Sequence, residues 1–177
     1  GKPSMTYLFS AVSGSVYYNE LKGRPESDLV PFKVRLEIMW NYYEPFAPPN
    51  FLDRLINGNQ QQFRSTVWEM LLGMILIKQG FNLIKMPDNN GDYPDLCVDL
   101  NGRKLWIECV KPEPTEKIIV DGKWRQYDVN PEIFTCIRSV EKKEEQRKKW
   151  LKNNVIGPDD YYVIGLNTHD IKVAGAL

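Results

Sequence analysis

The sequence predicts one α/β domain, in the order helix, three strands, helix and strand, preceded by an accessory N-terminal lobe. Three observations predict it. Residues 60–79 carry apolar side chains around most of a helical circumference, the pattern of a buried helix. Residues 93–112, YPDLCVDLNGRKLWIECVKP, read as two short strands joined at Asn101-Gly102, a strong hairpin signal. Residues 132–152 read as a long helix, and residues 161–167 as a strand alternating aromatic and aliphatic side chains. The chain divides into an accessory segment, residues 1–50, and a core, residues 51–177, within a single domain.

Composition narrows the class. At 177 residues the chain is long enough to bury about two-thirds of its unfolded surface. Hydrophobic residues at 42% and aromatics at 12% mark a globular chain, not a disordered one. The net charge is zero, so any nucleic-acid binding must come from a local patch. Cys97, Cys109 and Cys136 are odd in number and sit in apolar runs, which points to reduced core thiols in a cytoplasmic chain. With His169 the sole histidine and no Cys-x-x-Cys, a zinc set is not available. Serine or cysteine nucleophile mechanisms would depend on that one histidine, with no motif around it, and are set aside. The longest apolar run, residues 70–77, is far short of the ~20 residues of a membrane span, so no membrane partner is expected. Gly1-Lys2-Pro3-Ser4 reads as an appended leader ahead of Met5. The chain ends ten residues after its last expected strand, which suggests a fragment or a small missing C-terminal element.

Along the chain, residues 7–18 are small, apolar and aromatic and fit strand or loop. Residues 24–31 predict a connector, residues 34–43 a helix, and Pro45, Pro48 and Pro49 a break. Trp40, Tyr42 and Tyr43 can stack on bases, but buried packing is the commoner use of such residues. A short helix over residues 51–57 precedes the helix over 60–79, for which Gly80 is the stop. A strand over residues 81–86 and a Pro87-Asp-Asn-Asn-Gly-Asp loop lead into the hairpin. Its second strand places Lys104, Trp106, Glu108 and Val110 on one face, and Leu105, Ile107, Cys109 and Lys111 on the other. Residues 111–130, with Trp124, Arg125 and Tyr127, form a Pro-flanked excursion of flap-like length. Pro131 stands where helices start.

Three carboxylates stand out. Asp95 lies at the mouth of the first hairpin strand and Glu108 near the end of the second, amid apolar residues where an uncompensated charge is costly. A divalent cation answers that cost, since Mg²⁺ takes one or two carboxylates, a backbone carbonyl and waters. The alternative is that Asp95 caps a turn and Glu108 is a solvated strand-end charge. Glu69 sits within the apolar wall of the 60–79 helix. Thr66-x-x-Glu69 matches a capping box, yet residues 60–64 already look helical, which leaves Glu69 as a third member of an acidic site.

Glu69 on a helix, Pro94-Asp95 opening a strand and Glu108 on the next strand resemble the PD-(D/E)XK nuclease superfamily, the restriction-endonuclease-like fold. Trp68-Glu69, Gly80, Pro94-Asp95 and Trp106-Ile-Glu-Cys-Val-x-Pro112 are similar to a family of poorly characterised bacterial proteins placed in it. The resemblance covers residues 63–167. It implies a core of helix, three-stranded mixed sheet, helix and strand, and a divalent ion, Mg²⁺ or Mn²⁺, held by Asp95, Glu108 and the carbonyl of Cys109. The last strand would lie beside the hairpin and complete the sheet. DNA is the implied partner, and a homodimer is compatible with the paired nicks common in the superfamily.

One position departs from the pattern. The superfamily has lysine two residues after the second acid, where this chain has Val110. Lys111 is adjacent, but strand alternation sends it to the opposite face. On the 132–152 helix the apolar line Ile133, Ile137, Val140 continues by helical steps to Lys143 and Arg147, then Trp150 and Leu151, so Lys143 is expected to face the sheet. Lys143 is the preferred substitute for the missing lysine, with Lys142 and Lys111 behind it. Residues 138–152 hold seven basic and three acidic residues, and Arg138, Lys142, Gln146 and Arg147 are candidate nucleic-acid contacts. A solvated charged face is the plainer reading. The expected function is a metal-dependent DNA nuclease with Glu69, Asp95, Glu108 and Lys143 catalytic. The alternative is a catalytically inactive nuclease-fold module binding nucleic acid or a protein. A third class, an unrelated structural or partner-binding domain, would leave the three acids exposed and far apart.

Overall fold

The computed structural model describes residues 26–87, 92–113, 119–120, 123–124 and 131–168. The expectations for residues 7–18, Arg24-Pro25, the centre of the loop after Pro87, the side chain of Trp124, Arg125, Tyr127 and His169 lie outside the described residues.

Helix α1 (Glu26–Tyr43) begins well before the residues 34–43 expected and runs through Pro31, where the sequence predicts a connector. The physical reason is burial. Leu36, Met39, Trp40 and Tyr43, spaced by three and four, are all in the core, and that packing offsets the backbone bond a proline forfeits. Trp40 and Tyr43 are therefore packing residues, stacked and edge-on respectively against Phe51, while Tyr42 is exposed.

Helix α2 (Phe51–Asn57) buries Phe51, Leu55 and Ile56. Helix α3 (Gln60–Lys78) is capped by Asn59, whose side chain accepts from the Gln62 N–H at 2.8 Å. Thr66 is thus interior, its hydroxyl donating to the Gln62 carbonyl at 2.7 Å, and the capping-box reading of Thr66 and Glu69 does not hold. The helix stops at Gly80, with φ +85°. Gly73 lets α1 and α3 approach closely: a Cβ there would lie 2.6 Å from the Tyr43 ring.

Strand β1 (Asn82–Leu83) is shorter than the residues 81–86 expected. Beyond the ladder, only Ile84 adds a backbone bond, to the Cys97 carbonyl at 2.8 Å, before Pro87. Strands β2 (Leu96–Leu100) and β3 (Arg103–Val110) form the expected hairpin. Asn101 and Gly102 both take positive φ, +56° and +91°, the requirement of a type I′ turn. Strands β4 (Ile119–Val120) and β5 (Lys123–Trp124) make a separate ribbon. Helix α4 (Pro131–Lys152) then crosses over to β6 (Tyr161–Leu166).

Among the described residues there are four helices and a mixed sheet of order β1-β2-β3-β6. That sheet has four strands rather than three, because β6 pairs in parallel with β3, and a parallel pair needs a crossover such as α4. The faces alternate as the sequence predicts. Leu96, Val98, Leu105 and Ile107 join the α1–α3 core. Cys97 and Trp106 pack with Trp150 and Ile156 on the opposite side. The apolar line of α4 is buried only at its C-terminal end: Trp150 is 2% exposed, whereas Ile133, Ile137 and Val140 are open among the described residues. Trp68 ties α3 to β6 through a 3.0 Å bond from its indole N–H to the Gly165 carbonyl. No helix among the described residues is long and apolar enough to cross a membrane.

Candidate functional site

The hairpin register positions the two strand acids. Leu96 pairs with Ile107, so Asp95, one residue earlier, stands across from Glu108 just beyond the last paired residues. Side chains directly opposed in an antiparallel pair share a face. Asp95 Oδ2 accepts from the Cys109 backbone N–H at 2.7 Å, which fastens the loop to β3. Glu108 is 3% exposed. Glu108 is thus not the solvated strand-end charge of the alternative, and Asp95 takes a backbone N–H from β3 rather than from a turn of its own.

Lys143 of α4 faces the sheet and forms an ion pair with Glu108 Oε1. Gln146, one turn on, accepts from the same ammonium at 3.3 Å, and the Tyr162 hydroxyl donates to the Lys143 carbonyl at 3.3 Å. Val110 is buried on β3, so a cation reaches this site from α4 and not from the strand. The other oxygen of Glu108, Oε2, is buried and has no hydrogen-bond partner.

Glu69 is 1% exposed, and its carboxylate accepts from three donors on two other helices. Arg54 of α2 donates from Nη1 to Oε2 at 2.9 Å and from Nη2 to Oε1 at 3.2 Å. The Tyr43 hydroxyl of α1 donates to Oε1 at 2.8 Å. This geometry does not favour the expected catalytic role of Glu69. Arg54 is the residue of this region that the sequence did not single out, and Tyr43, expected there only to stack or pack, is also a donor to Glu69. The usable signal was chemical: a buried acid needs a buried donor or cation. No local pattern, however, chooses Arg54 over the other arginines and lysines.

The charges form one electrostatic unit, with Glu69, Asp95 and Glu108 set against Arg54 and Lys143. Burial, with help from Asp95, pushes the Glu69 carboxyl up to about 7 against the pull of Arg54 and Tyr43. Burial and the facing Asp95 raise Glu108 to about 8, against Lys143. Asp95 is raised by burial too, opposed by the Cys109 N–H, Lys143 and Arg54. The Cys109 and Cys97 thiols are raised, chiefly by burial, which makes them poor thiolates, and all three cysteines are free. Three acids against two bases leave one negative charge in excess, so the cluster must hold a proton or take up a cation.

Among the described residues no three His, Cys, Asp or Glu side chains form a group that could hold a metal ion. The residues that could hold a divalent ion are two acids, Asp95 and Glu108, with the backbone carbonyl of Cys109 added by the motif resemblance. This oxygen-only set suits Mg²⁺ or Mn²⁺ and leaves positions for water. Of the nucleic-acid candidates, Arg138 and Lys142 are exposed on the outer side of α4, lining a shallow depression shared with Glu141, Glu144 and Glu145. Arg147 pairs with Glu144 at 2.9 Å and lies 5.8 Å from the centre of the Tyr162 ring. Gln146 is turned toward Lys143.

Comparison of the chain with protein-family models, curated proteins and solved structures yields no match.

Proposed function

We propose that this protein is a metal-dependent nuclease that hydrolyses phosphodiester bonds of DNA, built on a restriction-endonuclease-like core. The observation that carries the reading is Glu108. It is a buried carboxylate, set opposite a second acid, with one oxygen on Lys143 and the other on nothing. An unsatisfied buried oxygen is costly in a purely structural role, whereas a cation ligand needs one. The fold and the motif resemblance supply the reaction class.

In this reading Asp95, Glu108 and the Cys109 carbonyl hold the ion. When bound, it supplies positive charge to the reacting phosphate and acidifies the attacking water. Lys143 takes the place of the lysine absent at Val110, offering a cation to charge developing on the phosphate. The Cys109 N–H fixes Asp95, and Gln146 steadies Lys143. Arg138, Lys142 and Arg147 lie along the helix that delivers Lys143 and can follow a phosphate backbone.

The Lys143–Glu108 pair also favours a second reading, an inactive module in which the lysine permanently neutralises the acid. Incubation of the purified protein with linear and supercoiled DNA, with Mg²⁺ or Mn²⁺, separates the two. We expect cleavage that Asp95→Asn and Glu108→Gln each reduce at least a hundredfold, and that Lys143→Met reduces strongly. Cleavage unaltered in Asp95→Asn would assign the activity to a contaminant or another site. Absence of cleavage together with absence of Mn²⁺ binding would establish the inactive module.

A further inference from the structure

Arg54 belongs to α2, outside the helix and strands that carry the acids, yet it makes the most complete contact in the cluster. Its two terminal nitrogens meet both oxygens of Glu69, at 2.9 and 3.2 Å, in the fork geometry that guanidinium and carboxylate share. The Tyr43 hydroxyl adds a third donor at 2.8 Å. A carboxylate has about four lone-pair directions, and three of Glu69's are taken. The guanidinium is itself held in place, 5.4 Å from the centre of the Phe51 ring, and Phe51 is wholly buried. By contrast, Glu108 Oε2 is buried without a hydrogen bond, with the Asp95 backbone N–H on the same side of the carboxylate. The two ends of the cluster are thus unequal, one closed by a fixed cation and one with an oxygen left without a hydrogen bond.

Resting on the nuclease reading above, we infer that Arg54 is a built-in positive charge standing where a second divalent ion would otherwise engage Glu69, so that the centre takes a single ion at Asp95 and Glu108. Arg54 is a positioning residue in this scheme. It holds Glu69 away from the metal and places a permanent cation near Asp95, without touching the reacting phosphate. The cluster then needs only one more cation to exceed neutrality.

The test is the stoichiometry of Mn²⁺ binding, measured by calorimetric titration and by loss of the free-ion paramagnetic resonance signal, in the absence of DNA. Wild type is expected to bind one ion per chain. Arg54→Met frees Glu69 and is expected to bind two, while Arg54→Met with Glu69→Gln returns to one, a pattern that loss of packing alone does not produce. Should Arg54→Met fail to fold, Glu69→Gln decides: one ion bound with less than tenfold weakening supports the inference, and a hundredfold loss makes Glu69 a ligand and overturns it. Two ions on wild type, both lost in Asp95→Asn, overturn the single-ion inference while sparing the metal centre. One ion on a folded Arg54→Met overturns it equally. No ion on wild type removes the metal reading itself and the inference with it.

Discussion

Glu69 and Glu108 are buried carboxylates whose proton affinities are raised, chiefly by burial, so they make the protein pH-sensitive in a defined direction. A carboxyl with a folded pKa near 7 or 8 is protonated in the native state while its unfolded counterpart, near 4.5, is ionised. The native state then binds more protons, so its stability falls as pH rises from about 5 toward 8. The contribution of Glu69 is on the order of 2–3 kcal/mol across that window. Urea midpoints from pH 5 to 8 should therefore fall more steeply for wild type than for Glu69→Gln. Parallel curves would show that Glu69 is ionised throughout. The same logic applies to the ion. Because Glu108 must lose its proton to ligate, Mn²⁺ affinity should rise between pH 6 and 8, by up to about tenfold per pH unit. A flat profile in the titration calorimeter would count against Glu108 as a ligand.

At the scale of elements, the site depends on how closely α1 and α3 approach. Tyr43 reaches Glu69 across the point where Gly73 leaves room for its ring, 2.6 Å from where a Cβ would stand. Gly73→Ala must push ring or helix aside, and overpacking of this kind costs about 1–3 kcal/mol. We expect a lower urea midpoint for Gly73→Ala with an unchanged denaturant slope; an unchanged midpoint would show that the interface yields freely. Helix α4 is the second positioning element. It is anchored at its far end by Trp150 against Trp106, Cys97 and Ile156, and that anchor sets where Lys143 falls. The 111–130 excursion links β3 to α4 and carries the β4–β5 ribbon.

Over the whole molecule the net charge is zero, so any long-range attraction to DNA must come from a local patch, for which the proposed reading takes the basic excess on α4. Arg138 and Lys142 stand beside three glutamates, which limits how strong that attraction can be. On the proposed function, DNA affinity falls steeply with salt, and charge reversal at both Arg138 and Lys142 makes the log–log slope shallower by about two, roughly one per cation removed. The comparison is made by fluorescence anisotropy with catalysis blocked by Asp95→Asn. An unchanged slope would place the phosphate track elsewhere on the molecule.

Much of this architecture is legible in the chain because it is written in local periodicity. The Asn101-Gly102 turn fixes the hairpin register, and register alone brings Asp95 opposite Glu108. Alternation along β3 assigns its residues to the correct faces, and helical steps from Val140 point Lys143 at the sheet. Where the sequence misleads, a long-range term has overridden a local one. Pro31 lies inside α1 because Leu36, Met39, Trp40 and Tyr43 are buried together, and β1 is short because the sheet extends little of its pairing beyond Leu83. The fate of Glu69 was decided only by the tertiary structure. Its partners lie 15 and 26 residues away, on α2 and α1, and meet it only when three helices pack. The sequence determined that a buried acid would need neutralising. Which cation would do it depends on distances between elements, and no residue pattern along the chain encodes those.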